Sequence, residues 1–317
     1  MTRLIRTLDD FPKELLGGAL AVGNFDGVHA GHQRLLQDLV IKATELGGPA
    51  IVMTFDPPPV AVLVPDRPPT APLTTIPRRA ELLGRQGIDA LLAYPTDRAL
   101  VNLSAEQFFE EKICGSIGAL AMVEGPNFRF GKDRLGDTAL LRKLCESRGM
   151  GCNIVEAKVD ESGQMVSSSR IRSALGEGEI DLANQMLTQP YEIEGIVAKG
   201  EQRGRKLGFP TANLEDINCL VPKHGVYAGA VELEGQLRPA AIHIGPNITF
   251  GEERPKVEVH VLDWEGAIYG ERLSCTMLSA IRDLVKFDSA EALVQRLEID
   301  TARSRQIFNE LFASEKE

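Results

Sequence analysis

Apolar positions in the first half of the chain follow two alternating rhythms. Short continuous runs at Leu20-Ala21-Val22, Ile51-Val52-Met53, Ala90–Ala93 and Ala119–Val123 read as buried strands. Between them lie segments with a helical period. The spacing predicts a helix over Gln33–Leu46, with Leu35, Leu36, Leu39, Val40, Ala43 and Leu46 on one face, stopped by Gly47-Gly48-Pro49. Arg79–Gln86 and Thr138–Ser147 repeat the pattern, and Ser104 with Gln107 has capping-box spacing before Phe108–Ile117. Strand and helix in alternation predict a doubly wound parallel sheet with helices on both faces. The proline-rich stretch Pro57–Pro72 reads as a loop over that sheet, placed to act as a mobile lid.

After about Tyr191 the grammar changes. Ile193–Ala198, Val226–Leu233, Ala240–Ile244 and Val257–Leu262 read as strands with few helical segments between them. Val257, Val259 and Val261 alternate with Glu258 and His260, so one face is apolar and the other polar. That pattern predicts a small antiparallel barrel. A last helix follows, with Asp288 and Glu291 as its capping pair and Leu293, Leu297 and Ile307 as core contacts. The reading is therefore α/β followed by β, with a domain at 1–187 and another at 188–317.

Composition narrows the function. A hydrophobic content of 43% over 317 residues suits about two globular domains. A net charge of −10 argues against a bulk polyanion binder and so against nucleic acid, but leaves room for a small phosphorylated ligand. No secretory-type leader and no membrane-spanning apolar run is visible. The five cysteines are scattered, with no C-x-x-C pair for zinc and no disulfide framework. The expectation is a cytoplasmic protein without membrane partners, monomeric or weakly self-associating.

The candidate chemistry begins at Val22–His32, where a strand meets a helix. Ligands bind at such junctions in open parallel sheets, and free N–H groups at a helix start favour phosphate. His29 and His32 are three residues apart, so both can face one phosphate and stabilise charge on a leaving group. Alone, the pair could also be a cap plus a surface residue, and the H-x-G-H core also leaves a cytidylyltransferase open.

Further along, Gly200–Asn213 combines glycines, Arg203, Arg205 and Lys206 with Gly208-Phe209-Pro210-Thr211-Ala212-Asn213. Glycine allows backbone close to phosphate, and Thr211 and Asn213 suit a Mg²⁺-nucleotide. A solvated basic hairpin is the plainer reading.

The string Gly23-Asn24-Phe25-Asp26-Gly27-Val28-His29-Ala30-Gly31-His32 resembles the amino-terminal module of the bifunctional bacterial riboflavin kinase/FAD synthetase family. Asn127-Phe128-Arg129-Phe130-Gly131 is similar to that family's flavin-side motif, Ser167–Arg172 to its phosphate-gripping motif, and Phe55-Asp56-Pro57 to its loop after the second strand. Gly208–Asn213, Gly225–Gly229 and Val257–Asp263 resemble the riboflavin kinase module.

The resemblance implies an amino-terminal nucleotidyltransferase domain and a β-barrel kinase domain with a carboxyl-terminal helix. The substrates would be riboflavin, FMN and ATP with Mg²⁺, and the product FAD. It implies His29, His32 and Arg172 as catalytic in the first module, with Gly23, Asn24, Phe25, Asp26, Gly31, Ser168 and Ser169 on ATP and Asn127 and Arg129 on flavin. In the second module it implies Glu258 as the base for the riboflavin 5′-hydroxyl. Gly204, Arg205, Gly208, Pro210, Thr211 and Asn213 would bind ATP, with Thr211 and Asn213 holding the metal and Arg282 on flavin.

The sequence departs from the family pattern at Pro58, Pro72 and Glu124, at Thr188-Gln189, at Ile248 within Asn247–Phe250, and at Leu284. These departures leave two alternatives: a riboflavin kinase whose first module is a scaffold, and a non-catalytic flavin or nucleotide regulator.

Overall fold

The structure is a computed structural model describing residues 2–9, 11–156, 159–160, 163–200 and 203–312. Two compact units emerge: Met1–Thr70 with Thr74–Ser167, and Ala71–Leu73 with Ser168–Glu317.

The first unit is built on β1 (Arg3–Ile5), β2 (Ala19–Val22), β3 (Ala50–Phe55), β4 (Ala90–Tyr94), β5 (Ala121–Glu124) and β6 (Gly151–Ile154). Every pairing is parallel, in the order β1-β4-β3-β2-β5-β6. The two faces bury separate layers. Leu20, Val22, Ile51 and Met53 pack with Phe109, Ile113 and Leu141, whereas Ala19, Ala21 and Val52 pack with Leu36, Leu39 and Leu83. Each large side chain so buried contributes about 1.5–3 kcal/mol. This double burial explains why the strands read as unbroken apolar runs.

The second unit holds β7 (Glu192–Ala198), β8 (Ala212–Glu215), β9 (Gly225–Leu233), β10 (Gln236–Gly245), β11 (Lys256–Val261) and β12 (Arg272–Arg282). They close into an antiparallel barrel in the order β10-β11-β8-β7-β12-β9. The alternation in β11 is kept: Val257, Val259 and Val261 are buried, and Glu258 and His260 lie on the opposite face. The terminal helix Ala290–Phe312 packs Ile307 against Ala228, Ala230 and Leu278.

Several details differ from the sequence expectation. The first helix runs Ala30–Leu46, starting right after His29. The helix read from Arg79 begins at Ile76, because Thr75 accepts from the Arg78 backbone N–H and caps it. Ser104 and Gln107 do form a capping box on Ala105–Phe108, which continues as a π-helix over Phe109–Ile117. The proline-rich stretch is not all loop, since Pro59–Leu63 forms a helical turn with Pro at its tolerant first position. The last helix is capped by Ser289, whose Oγ accepts the Ala292 N–H at 3.1 Å, rather than by Asp288. Leu293 and Leu297 line a cavity instead of filling the core. The glycine-rich segment before β8 holds one helical turn, Arg203–Lys206. β12 went unread because register shifts after Met277 and Ala280 break its alternation.

Candidate active sites

In the first unit β2 is flanked by β3 on one side and β5 on the other, so the strand order reverses beside it. That switch point opens a crevice at the carboxyl ends of β2 and β5. The loop leaving β2 bends sharply: Phe25 and Val28 hold φ values of 46° and 41°, costly for side chains with a Cβ. Burial of both side chains offsets that cost, with Phe25 at 3% and Val28 at 0% exposure.

A buried cation organises the loop. Arg79 Nη2 donates to Asp26 Oδ1 at 2.8 Å, its Nη1 to the Asn24 carbonyl at 2.8 Å and its Nε to Thr74 Oγ1 at 3.3 Å. Asp26 Oδ1 also accepts from the Thr74 backbone N–H at 3.0 Å. Asp26 thus fixes the loop, and Arg79 is a site residue that motif reading passed over. A charged residue on an apolar helix face, between Ile76 and Leu83, was the available signal.

The loop delivers His29 and His32 to the helix start. Their rings stack with centroids 3.6 Å apart, and Phe25 lies 4.9 Å from the His32 ring. His29 occupies the N-cap position but makes no side-chain cap. A Cβ on Gly31 would sit 2.8 Å from the Val166 carbonyl and 2.9 Å from His29 Nδ1, so glycine is needed for that approach. Burial, then His29, then Arg79 hold His32 well below the ordinary histidine range. It is therefore a neutral imidazole with one N–H to offer near neutral pH.

Gly23 and Asn24 also line a cavity of about 520 Å³ with Phe55, Phe108, Asn127 and Arg129. Asn127 and Arg129 thus converge with the start of the loop, and Arg129 lies 3.6 Å from Asp137. Glu124, at the end of β5, is 2% exposed and accepts the Val22 N–H at 2.7 Å. Burial lifts its carboxyl well above the usual range.

Ser168, Ser169 and Arg172 open the helix Ser168–Glu177 of the second unit. There Arg172 Nε donates to the Ala71 carbonyl at 3.2 Å.

The barrel carries its own cavity of about 150 Å³, where Gly204, Thr211, Asn213, Glu258 and Arg282 meet; Arg205, Gly208 and Pro210 do not line it. Its floor is a row across neighbouring strands. Glu258 on β11 stands opposite Asn213 on β8 and opposite His243 on β10. Asn247 Nδ2 donates to Glu258 Oε2 at 2.9 Å. Arg282 gives Nε at 2.9 Å and Nη2 at 2.7 Å to Asp300 Oδ2, and Arg296 Nε reaches Asp300 Oδ1 at 3.0 Å. Asp300 is 1% exposed, so two guanidinium groups compensate one buried carboxylate. His260 Nδ1 donates to the Pro210 carbonyl at 2.7 Å, tying the Gly-Phe-Pro-Thr segment to β11. His243 and Asp300 escaped sequence reading: cross-strand register has no one-dimensional signature, and Asp300 on the terminal helix meets Arg282 only through packing.

Among the described residues no cluster of three or more His, Cys, Asp or Glu could hold a metal ion. The Thr211 hydroxyl and Asn213 amide are neutral oxygen donors, fitting a Mg²⁺ that arrives with most of its ligands already on ATP. No described helix is long and apolar enough to cross a membrane.

Comparison with known proteins matches the FAD synthetase family model to residues 12–170 and the riboflavin kinase family model to residues 187–308. A protein of Pseudomonas fluorescens is 35% identical over 307 residues, 96% of this chain and 97% of that one. One of Bacillus subtilis (strain 168) is 34% identical over 303 residues, covering 94% and 95%. One of Escherichia coli (strain K12) is 33% identical over 309 residues, 97% of each chain. All three are described as bifunctional riboflavin kinase/FMN adenylyltransferase. A crystal structure described as a macrolide-efflux protein from Streptococcus pneumoniae has a TM-score of 0.85 and 32% identity, covering 96% of this chain and 98% of that one.

Proposed function

The chain belongs to the bifunctional riboflavin kinase/FMN adenylyltransferase family, and from that premise we propose how its residues divide two transferase reactions. Riboflavin, FMN and ATP are substrates, and FMN and FAD are products. The observation that carries the division is a separate cavity in each unit, one bordered by the loop to His29 and His32, the other floored by Glu258.

In the first reaction riboflavin loses its 5′-hydroxyl proton to Glu258 as the oxygen attacks the γ-phosphorus of ATP, and ADP leaves. A carboxylate held beside a primary alcohol orients it and takes its proton late in phosphoryl transfer. Asn213 and Thr211 would hold Mg²⁺, which supplies charge neutralisation at the phosphates. In the second reaction an FMN phosphate oxygen attacks the α-phosphorus of a second ATP and pyrophosphate leaves. No protein nucleophile is needed, so positioning and charge compensation do the catalysis. The helix start with His29 and His32 suits the phosphates, and Asn127 and Arg129 suit the flavin. Ser168, Ser169 and Arg172 take phosphate roles from their motif alone. The functional boundary falls between 187 and 188. The protein works as a cytoplasmic monomer or weak homo-oligomer; the five free cysteines among the described residues suit the reducing compartment and do not bear on the oligomeric state.

The test supplies riboflavin and Mg-ATP and separates the flavins by chromatography. His32→Ala should accumulate FMN without FAD. Glu258→Gln should fail to make FMN yet convert supplied FMN to FAD. Loss of both activities in either variant refutes separate sites.

A further inference from the structure

Three cysteines that neither transferase reaction uses gather on one face of the first unit's sheet. Cys114, Cys145 and Cys152 all belong to the layer that packs Met122 with Phe109, Ile113 and Leu141. A tight reversal brings two of them together. Cys145 lies in the last turn of the helix Thr138–Ser147, and Cys152 lies on β6. Gly149, at φ 66°, turns the chain between them, and the Met150 N–H returns to the Cys145 carbonyl at 2.9 Å. β6 therefore starts beside the end of the helix. Cys152 stands opposite Met122 in the β5–β6 ladder, so its thiol points to the face that the helix covers. There the Cys145 and Cys152 thiols hydrogen-bond to one another. Cys114 is engaged elsewhere, its Sγ donating to Met150 Sδ at 3.7 Å.

The two partners differ in access. Cys145 is fully buried, whereas Cys152 is partly exposed on the edge strand of the sheet. They differ in proton affinity as well. The hydrogen bond from Cys145 brings the Cys152 thiol down to about 7, against burial and with help from Arg142. The same hydrogen bond and burial push Cys145 up, so it keeps its proton. An accessible thiolate in front of a buried thiol suits attack on a peroxide followed by resolution from behind.

We propose that Cys152 and Cys145 form a peroxide-reactive redox pair, with Cys152 the attacking sulfur and Cys145 the resolving one. The Cys152 thiolate attacks one oxygen of hydrogen peroxide, the O–O bond breaks, and hydroxide leaves and takes a proton from solvent. Cys152 is then a sulfenic acid. Cys145 Sγ attacks its sulfur, the S–S bond forms, and the displaced hydroxide leaves with the Cys145 proton as water. Two electrons pass from the two sulfurs to the peroxide, and a thiol reductant returns them. The bond ties the end of the helix Thr138–Ser147 to the edge of the sheet.

The experiment treats the reduced full-length enzyme with equimolar hydrogen peroxide at about pH 7.5, then denatures and alkylates it and counts thiols by mass spectrometry. Wild type should lose two of its five thiols and about 2 Da, yield a peptide cross-link between Cys145 and Cys152, and recover both thiols on phosphine reduction. Cys145→Ser should stop at a Cys152 sulfenic acid that dimedone captures. Cys152→Ser should give neither bond nor adduct, and Cys114→Ser should behave as wild type. FAD formation by the reduced variants should match wild type, which certifies folding of their first unit. Wild type that keeps all five thiols overturns the proposal without recourse to any variant. So does a bond that joins Cys114 or two chains, or one that still forms in Cys152→Ser.

Discussion

Arg79 donates to Asp26 across 2.8 Å in an environment where each side chain is 6% exposed. Removing one partner from such a pair strands the other charge, a cost of about 3–5 kcal/mol. Arg79→Met should therefore destabilise the first unit by about that amount in chemical denaturation, and FAD formation should fall far more than FMN formation. Arg79 is also one of the causes that depress His32. The His32 imidazole in Arg79→Met should titrate at higher pH than in wild type, measurable by NMR. An unmoved His32 titration would show that Arg79 acts on the loop without acting on the histidine.

Glu124 gives a pH prediction with a definite sign. Its folded-state proton affinity is raised by burial, so above the ordinary carboxylate range the folded chain binds more protons than the unfolded one. Stability then falls as pH rises through the raised value. Glu124→Gln keeps an acceptor for the Val22 N–H without that penalty. Its melting temperature should exceed that of wild type by a few degrees at about pH 8, and the difference should vanish at about pH 4. A difference independent of pH would mean that burial does not raise the Glu124 carboxyl above its unfolded-state value.

How much of this was legible from the sequence depends on whether the cause is local. The helix at Ala30–Leu46 announced itself because its apolar face is periodic and its end carries two glycines and a proline. β11 did so because only one face is buried. The histidines and the Gly-Phe-Pro-Thr segment were visible because their chemistry is contiguous. Arg79 and Asp26 are 53 positions apart and meet only when the helix packs beside the loop. His243 and Glu258 meet through register, which depends on how the intervening turn counts residues.

Gly204 should prove irreplaceable for the kinase. A Cβ there would sit 2.3 Å from the Phe209 carbonyl, a backbone atom that cannot swing aside. The Phe209 N–H donates to the Gly204 carbonyl at 2.8 Å, closing the turn. Gly204→Ala should open it at a cost of about 1–3 kcal/mol, lower kinase kcat/KM for ATP by about tenfold or more, and spare FAD formation. Steady-state assays of both reactions on one preparation decide the point.

Asp300 offers a test of the buried charge cluster. Asp300→Asn leaves Arg282 and Arg296 without their shared carboxylate, at a cost of about 3–5 kcal/mol. The terminal helix should loosen from the barrel, seen as faster amide exchange near Ile307. The riboflavin KM should rise, because Arg282 and Thr301 both line the kinase cavity. Exchange unchanged from wild type would show that apolar contacts alone hold the helix.

The row Asn213–Glu258–His243 makes the kinase sensitive to strand length as well as to residue identity. Neighbouring residues of a strand face opposite ways, so one extra residue inserted just before Glu258 would turn its carboxylate inward opposite Ile242 and turn Val259 and Val261 outward. The same insertion would put the inserted residue, in place of Glu258, opposite Asn213. Insertions in β11 are thus penalised twice, by an unpaired charge in the barrel interior and by the loss of the base.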